Sequence, residues 1–287
     1  MNIIILMLDS LRPDYLGCQG FHEVKTPWID QVVKEGILFE NVYAEYPITI
    51  PSRTAFVSGN YTFTNRPWCP LRSYDLHIAE ILHQEGFVTA AFSDTPFNQS
   101  SHMHRGFETF VYVPFGKCHI AQTEKKYSFK PCYYPPGSPE DERHFYPNTM
   151  TNRFYALEKY GKSCPELLFD KALEWLEQNH HRQPFFLWVD SFEPHEPWCP
   201  PPSYESLYPK AIEHTRYIPF PIGPDASWMT EEDREHVLAL YMGDVTHTDE
   251  MVGKVVKKIK ELNLEEETLL VIISDYGEPF GEHLSAG

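Results

Sequence analysis

The chain has 287 residues, with 24 Lys+Arg against 41 Asp+Glu and a formal net charge of −17. Proteins that grip a nucleic-acid backbone carry a basic footprint, so this balance argues against nucleic acid as the main partner, and an anionic ligand would need a local site built on a metal or a few placed cations. No stretch reaches the roughly 18 apolar residues of a membrane helix, and the six cysteines at 18, 69, 118, 132, 164 and 199 form no CxxC pair, so they read as free thiols of a cytoplasmic protein.

Residues 3–8 are apolar and end at Asp9, a run too short for an export signal and suited to a buried strand. Thr26-Pro27 offers an N-cap and a first-turn proline to a helix with Ile29, Val32 and Val33 on one face, stopped by Gly36. Residues 37–42 read as a strand. A helix over 75–85 turns Ile78, Ile81 and Leu82 inward and stops at Gly86, and 87–92 is again strand-like. A helix over 166–179, with the stripe Leu168, Ala172, Trp175 and Leu176, leads to a strand over 185–189. Thr230-x-x-Asp233 resembles a capping box; the helix it opens places Leu238, Tyr241, Val245, Thr248, Val252, Val255, Ile259 and Leu262 in steps of three and four. A strand over 268–273 ends at Ser274-Asp275. Repeated helix-then-strand units predict a single α/β domain over 1–287, a mostly parallel central sheet with helices on both faces. Two Pro-rich excursions, at about 95–162 (around Tyr133-Tyr134-Pro135-Pro136-Gly137) and 196–229, interrupt the rhythm where substrate-selecting loops sit.

Ligands of a parallel sheet bind beyond the carboxyl ends of its strands, and Asp9 and Asp275 stand at two such ends. Brought together there, two carboxylates repel unless a cation lies between them, and a hard divalent metal is the natural solution. Taken alone, either aspartate is more readily a turn or cap residue. Thr49 comes just before a helix start marked by Pro51, where backbone N–H groups favour an anion. Arg53 adds a guanidinium fork matched to sulfate or phosphate oxygens; the plain alternative is a Thr cap and a surface Arg. His195, in Glu193-Pro194-His195-Glu196-Pro197-Trp198, follows a strand and sits between prolines, as a general acid or transition-state donor would.

These residues carry a resemblance. Asp9-Ser10-Leu11-Arg12-Pro13-Asp14, Thr26-Pro27-Trp28-Ile29-Asp30, Thr49-x-Pro51-Ser52-Arg53 with Ser58-Gly59, Gly106-Phe107-Glu108-Thr109-Phe110, Pro194-His195-x-Pro197, and Ser274-Asp275-x-Gly277-Glu278 with Gly281-Glu282-His283 resemble, in order, the landmarks of the sulfatase family of the alkaline-phosphatase superfamily. The resemblance spans essentially the whole chain. It implies an alkaline-phosphatase-like sandwich and a divalent metal (Ca, Mg, Mn or Zn) held by Asp9 and Asp275, with Thr49 at the nucleophile position. It further implies that Arg53 steadies the nucleophile and the bound anion, and that His195 contacts the ester or leaving group. Ser10 stands where the family has a second aspartate and Tyr276 where it has Asn or His, so these two fall on ligand positions. Ser93-Asp94 replaces a Gly-Lys segment, and the lysine-bearing segment and smaller C-terminal subdomain usual in the family are expected to be missing.

Sulfatases convert Cys or Ser at the nucleophile position into formylglycine, and Thr49 has no route to that aldehyde. Superfamily relatives that cut phosphate esters use an unmodified Thr or Ser. The resemblance therefore implies a metal-dependent hydrolase of small anionic sulfate or phosphate esters. A phosphodiesterase, phosphonate-ester hydrolase or phosphotransferase is the alternative within the superfamily, and a catalytically inactive sulfatase-like binding protein the alternative of another class.

Overall fold

A computed structural model describes residues 1–64, 66–95, 97, 101–114, 121–134, 140–218 and 228–280. Five strands, β1 (Asn2–Leu8), β2 (Val88–Ser93), β3 (Thr109–Tyr112), β4 (Phe185–Ser191) and β5 (Thr268–Ile273), form a parallel sheet of order β3-β2-β4-β1-β5. The helices are α1 (Pro27–Glu35), α2 (Thr49–Ser58), α3 (Ile78–Gln84), α4 (Glu140–Tyr160), α5 (Cys164–Asn179), the short α6 (Pro202–Glu205) and α7 (Pro209–Glu213), and α8 (Glu231–Glu261).

Both faces of the sheet are covered. Phe185, Leu187 and Val189 of β4 enter a large core with Leu168 and Trp175 of α5 and Tyr241, Val245 and Val252 of α8. Phe186 and Trp188, pointing the other way, enter a smaller core with Val57 of α2 and Ala79 of α3. This period-two division between two apolar environments is why the strands read as unbroken apolar runs. Capping boxes form as the sequence suggests, Ser163 with Glu166 on α5 and Thr230 with Asp233 on α8. The α8 stripe is buried from Tyr241 to Ile259, and its ends, Leu238 and Leu262, are half-buried.

Asp249 leaves that helix toward the start of α1, where Oδ2 accepts from the Trp28 N–H at 3.1 Å and Oδ1 from the Ile29 N–H at 2.8 Å. It thereby does the capping expected of Thr26. Thr26 holds the N-cap position but makes no side-chain cap, and its hydroxyl instead lies 2.9 Å from the Gly17 N and 3.1 Å from Asp30 Oδ1.

Several expectations fail locally. Residues 37–42 form no strand. Ile37, Phe39 and Val42 are 82, 75 and 66% exposed, and no strand among the described residues offers them a ladder. α3 begins at Ile78, after His77, whose Nδ1 accepts from the Ala79 N–H at 3.1 Å. Ile78 and Ile81 face solvent, and Ala79 is the buried residue. Gly106 lies against the backbone of this first turn, where only glycine fits: a Cβ at Gly106 would lie 2.2 Å from the Glu80 nitrogen. The first excursion contains β3 and α4, and the second contains α6 and α7. Pro135, Pro136, Gly137, Cys118 and the Gly281-Glu282-His283 motif lie outside the described residues. The described cysteines are free thiols, and no described helix is long and apolar enough to cross a membrane.

Strand order brings the ends of the sequence together. β4, β1 and β5 are neighbours, with Met7 in register with both Asp190 and Ile273. Side chains just past these positions therefore emerge side by side at the carboxyl edge.

Candidate active site

Three aspartates meet at that edge: Asp9 just after β1, Asp190 near the end of β4 and Asp275 just after β5. One guanidinium joins them. Arg53 Nε lies 3.1 Å from each Asp190 oxygen, and Nη2 lies 2.8 Å from Asp190 Oδ1 and 3.1 Å from Asp9 Oδ2. Nη1 donates to Asp275 Oδ2 and, at 3.3 Å, to the Thr49 carbonyl. All four charged side chains are fully buried. Arg53 is thus no surface residue, and its fork is held by three carboxylates. Burial opposes its charge, but the three aspartates overcome that and hold the guanidinium charged.

Thr49 opens α2, one helical turn before Arg53 and on the same face. Ile48 is the N-cap and no side chain caps the helix, so Thr49 is not a cap. Its Oγ1 lies 3.3 Å from the Tyr276 hydroxyl. The phenol is pushed far above its ordinary range by burial and by Asp9, and stays protonated.

Both substituted ligand positions are hydrogen-bonding residues here. Ser10, at φ 60°, donates its N–H to Asp275 Oδ1 at 3.0 Å, and its hydroxyl lies 3.1 Å from Asp9 Oδ1 and 3.2 Å from Glu278 Oε1. Its carbonyl accepts from the Tyr241 hydroxyl at 3.1 Å, which ties the turn to α8. The Tyr276 N–H donates to Asp275 Oδ1 at 3.0 Å.

His195 lies in a loop with cis peptide bonds before Pro194 and Pro197. Its ring stacks on Phe192 at 4.2 Å, stands edge-on to Tyr276 at 6.3 Å, and has Nδ1 2.8 Å from both Glu196 Oε2 and the Glu196 carbonyl. Burial pulls its pKa down, but Glu196 and Asp9 outweigh it and raise it to about 10.

Sequence reasoning missed Asp190, although it follows the apolar run 185–189 just as Asp9 and Asp275 follow theirs. Besides Arg53 it accepts from Thr95 Oγ1 at 3.0 Å and Trp188 Nε1 at 3.0 Å, so both its oxygens are engaged. Glu278 and Glu196 fall within the sequence motifs of Asp275 and His195, with no role that the motifs alone assign.

The residues fit a divalent cation. Asp9, Asp190 and Asp275 surround a single guanidinium, three buried carboxyl groups to one cationic side chain. Asp9 Oδ2, wholly buried, accepts no hydrogen bond, since its 3.1 Å contact with Arg53 is an ion pair without hydrogen-bond geometry. Burial and Asp275 push Asp9 up to about 8, against the pull of Arg53. Buried charge of one sign demands a counter-ion, and all-oxygen donors favour a hard one.

The family model described as Sulfatase matches residues 1–287. The chain is 27% identical to iduronate 2-sulfatase of Homo sapiens, over 99% of the chain and 56% of that protein. It is also 27% identical to the ulvan-active sulfatase of Formosa agariphila, over 98% of the chain and 51% of that protein. Phosphonate monoester hydrolase of Agrobacterium radiobacter shares the fold, with a TM-score of 0.70 at 19% identity, over 100% of this chain and 64% of that one. The chain thus spans about half the length of the curated relatives it matches.

Proposed function

The chain belongs to the sulfatase family, and from that membership we propose that it is a divalent-metal hydrolase of small anionic esters with unmodified Thr49 as nucleophile. The observation that carries this reading is the placement of Thr49. It stands at the N-terminus of α2, its hydroxyl against Tyr276 and its carbonyl held by the arginine that spans Asp9, Asp190 and Asp275.

Asp9 and Asp275 would hold the cation, which would lower the proton affinity of the Thr49 hydroxyl and neutralise charge on the ester. The protein's own groups do the rest. Tyr276, a neutral phenol, orients Thr49 Oγ1. The N–H groups of Thr49 and Ile50, which open α2 ahead of Pro51, would favour the attacked anion. Oγ1, its proton released to solvent, forms a bond to phosphorus as the bond from phosphorus to the ester oxygen breaks, and the leaving oxygen takes up a proton from His195 Nε2. His195, with Nδ1 engaged by Glu196, presents its positive charge and Nε2 to that leaving oxygen. Water then cleaves the phosphothreonine ester, which releases phosphate and restores Thr49.

Phosphate and phosphonate esters are favoured over sulfate esters because a threonine has no route to the aldehyde that sulfatases use. The phosphonate monoester hydrolase with the same fold agrees with that preference. The test is Thr49→Ala against a panel of aryl sulfates, phosphate monoesters, phosphate diesters and phosphonates. Expected are an unchanged fold, loss of phosphate- or phosphonate-ester cleavage, and slow or absent sulfate-ester cleavage in the parent. Full activity in Thr49→Ala would remove Thr49 as nucleophile.

A further inference from the structure

The loop that carries His195 is held by a buried residue of the first Pro-rich excursion. Arg153 lies on α4 and is 8% exposed. Its Nη2 donates to Glu193 Oε1 and its Nη1 to the Cys199 carbonyl, with Asp244 Oδ1 3.9 Å from Nη1. Asp244, on α8, accepts the Cys199 N–H through Oδ2 at 3.1 Å. One guanidinium and one carboxylate thus pin both ends of residues 193–199 from outside the loop. Burial opposes the charge on Arg153, but Glu193 and Asp244 outweigh it and raise its pKa.

Between those ends the loop is tied to itself. The His195 N–H donates to the Phe192 carbonyl at 2.9 Å, and Trp198 Nε1 donates to the Pro194 carbonyl at 2.9 Å. The imidazole stacks on Phe192, so its direction follows that of the loop. A guanidinium holds its donors at fixed angles and can set the separation of two acceptors, whereas an ammonium is a single point charge. A cavity of about 40 Å³ adjoins the guanidinium, lined by Glu193, Cys199, Phe154, Leu157 and Tyr217, and it extends to the exposed Pro202. A small ion can therefore enter where the Arg153 side chain has been removed.

We propose that Arg153 is a positioning residue for His195: it fixes the spacing of Glu193 and Cys199 and thereby aims the imidazole at the leaving oxygen. The role at the leaving oxygen rests on the hydrolase reading, whereas the placement of the imidazole does not. A general acid matters in proportion to the basicity of the group it protonates, so methoxide needs the proton to depart and 4-nitrophenolate does not. Loss of aim at His195 should therefore be felt by one kind of ester and hardly by the other.

The test compares the methyl and 4-nitrophenyl monoesters of phenylphosphonic acid as substrates of the parent and of Arg153→Ala. In parallel, NMR follows the ring protons of His195, assigned by their loss in His195→Gln and shifted upfield in the parent by the Phe192 ring. In Arg153→Ala the methyl ester should be cleaved about 10²-fold more slowly and the 4-nitrophenyl ester within about fivefold of the parent, the difference a general acid supplies. The upfield shift should collapse. Guanidinium chloride at tens of millimolar should restore both the methyl-ester rate and the shift, and potassium chloride at the same concentration neither. Arg153→Lys keeps the charge and loses the fork, so it should fall between the two proteins, and it carries the test if Arg153→Ala does not fold. Equal falls for the two esters, or an unmoved shift, would overturn the positioning role and leave Arg153 a structural ion pair. If the parent cleaves neither ester the hydrolase reading fails, and the ring-proton shift then decides alone: collapse with recovery in guanidinium keeps the positioning role, and an unmoved shift ends it.

Discussion

Asp249 and Asp9 are both aspartates buried to 1% or less, and they have opposite meanings. Each Asp249 oxygen accepts one N–H from the first turn of α1, so its hydrogen-bonding capacity meets donors the helix would otherwise leave unpaired. Burial lifts its pKa to about 7 against those two bonds. Asp9 shares one guanidinium with two other aspartates, and its Oδ2 is left without a hydrogen bond. Burial alone therefore does not identify a working carboxylate. What separates the two is whether the oxygens on hand exceed the donors the fold supplies.

Substitution at the two places should separate activity from stability. Asp275→Asn is expected to lower kcat/KM by about 10³, or about 4 kcal/mol of transition-state stabilisation, with a melting temperature close to the parent. Asp249→Ala should leave turnover per folded molecule unchanged and cost about 1–3 kcal/mol, because two helix N–H groups lose their acceptor. Denaturant melts and initial rates on both proteins check the pair. If Asp249→Ala lost activity and kept stability, the distinction would collapse.

A smaller effect tests the same reasoning on a buried base. His247 is 1% exposed, its Nδ1 has no hydrogen bond, and its Nε2 lies 3.1 Å from Ser163 Oγ at the cap of α5. Burial depresses its pKa to about 4. Above pH 6.5 both folded and unfolded chains carry it neutral and its contribution is complete. As the pH falls from 6.5 toward 4 only the unfolded chain takes up the proton, so stability is lost over that window. Relative to His247→Asn, the parent should lose up to ~3 kcal/mol between pH 7 and 4. Parallel pH profiles for the two proteins would contradict the neutral buried imidazole.

The smallest expected effect is Trp188→Phe. It removes the Nε1 donor to Asp190 Oδ2 while keeping an aromatic ring stacked near Phe97. A cost of about 1 kcal/mol and a few-fold fall in kcat at unchanged KM would show that Asp190 needs its full set of donors to hold Arg53.

Much of the architecture was legible because apolar periodicity and caps agree with the tertiary structure at α5, α8, β1, β4 and β5. Asp9 and Asp275 could be paired in advance because each follows an apolar run. Asp190 carries the same signal, but the Pro-flanked His195 five residues on is the more conspicuous residue at that strand end. β3 is four residues long, and α4 is largely polar with Pro147 inside it, so neither shows a pattern that local reading separates from loop. Residues 37–42 fail for the opposite reason. Their apolar run Ile37-Leu38-Phe39 is strand-like, but a strand exists only with a partner, and sequence pattern does not report whether one is in place. The bonds that Ser10 and Tyr276 make depend on contacts between residues more than 200 positions apart, which no local pattern encodes.

The place of β1 between β4 and β5 also sets an order of assembly on the ribosome. Of the five described strands β1 is made first, and it pairs on one side with β5, whose first residue comes about 260 positions later. Until β5 emerges, β1 presents an unpaired apolar edge, open to pairing with other chains. Asp275 arrives with β5, so Asp9, Asp190 and Asp275 gather only once that strand has paired with β1.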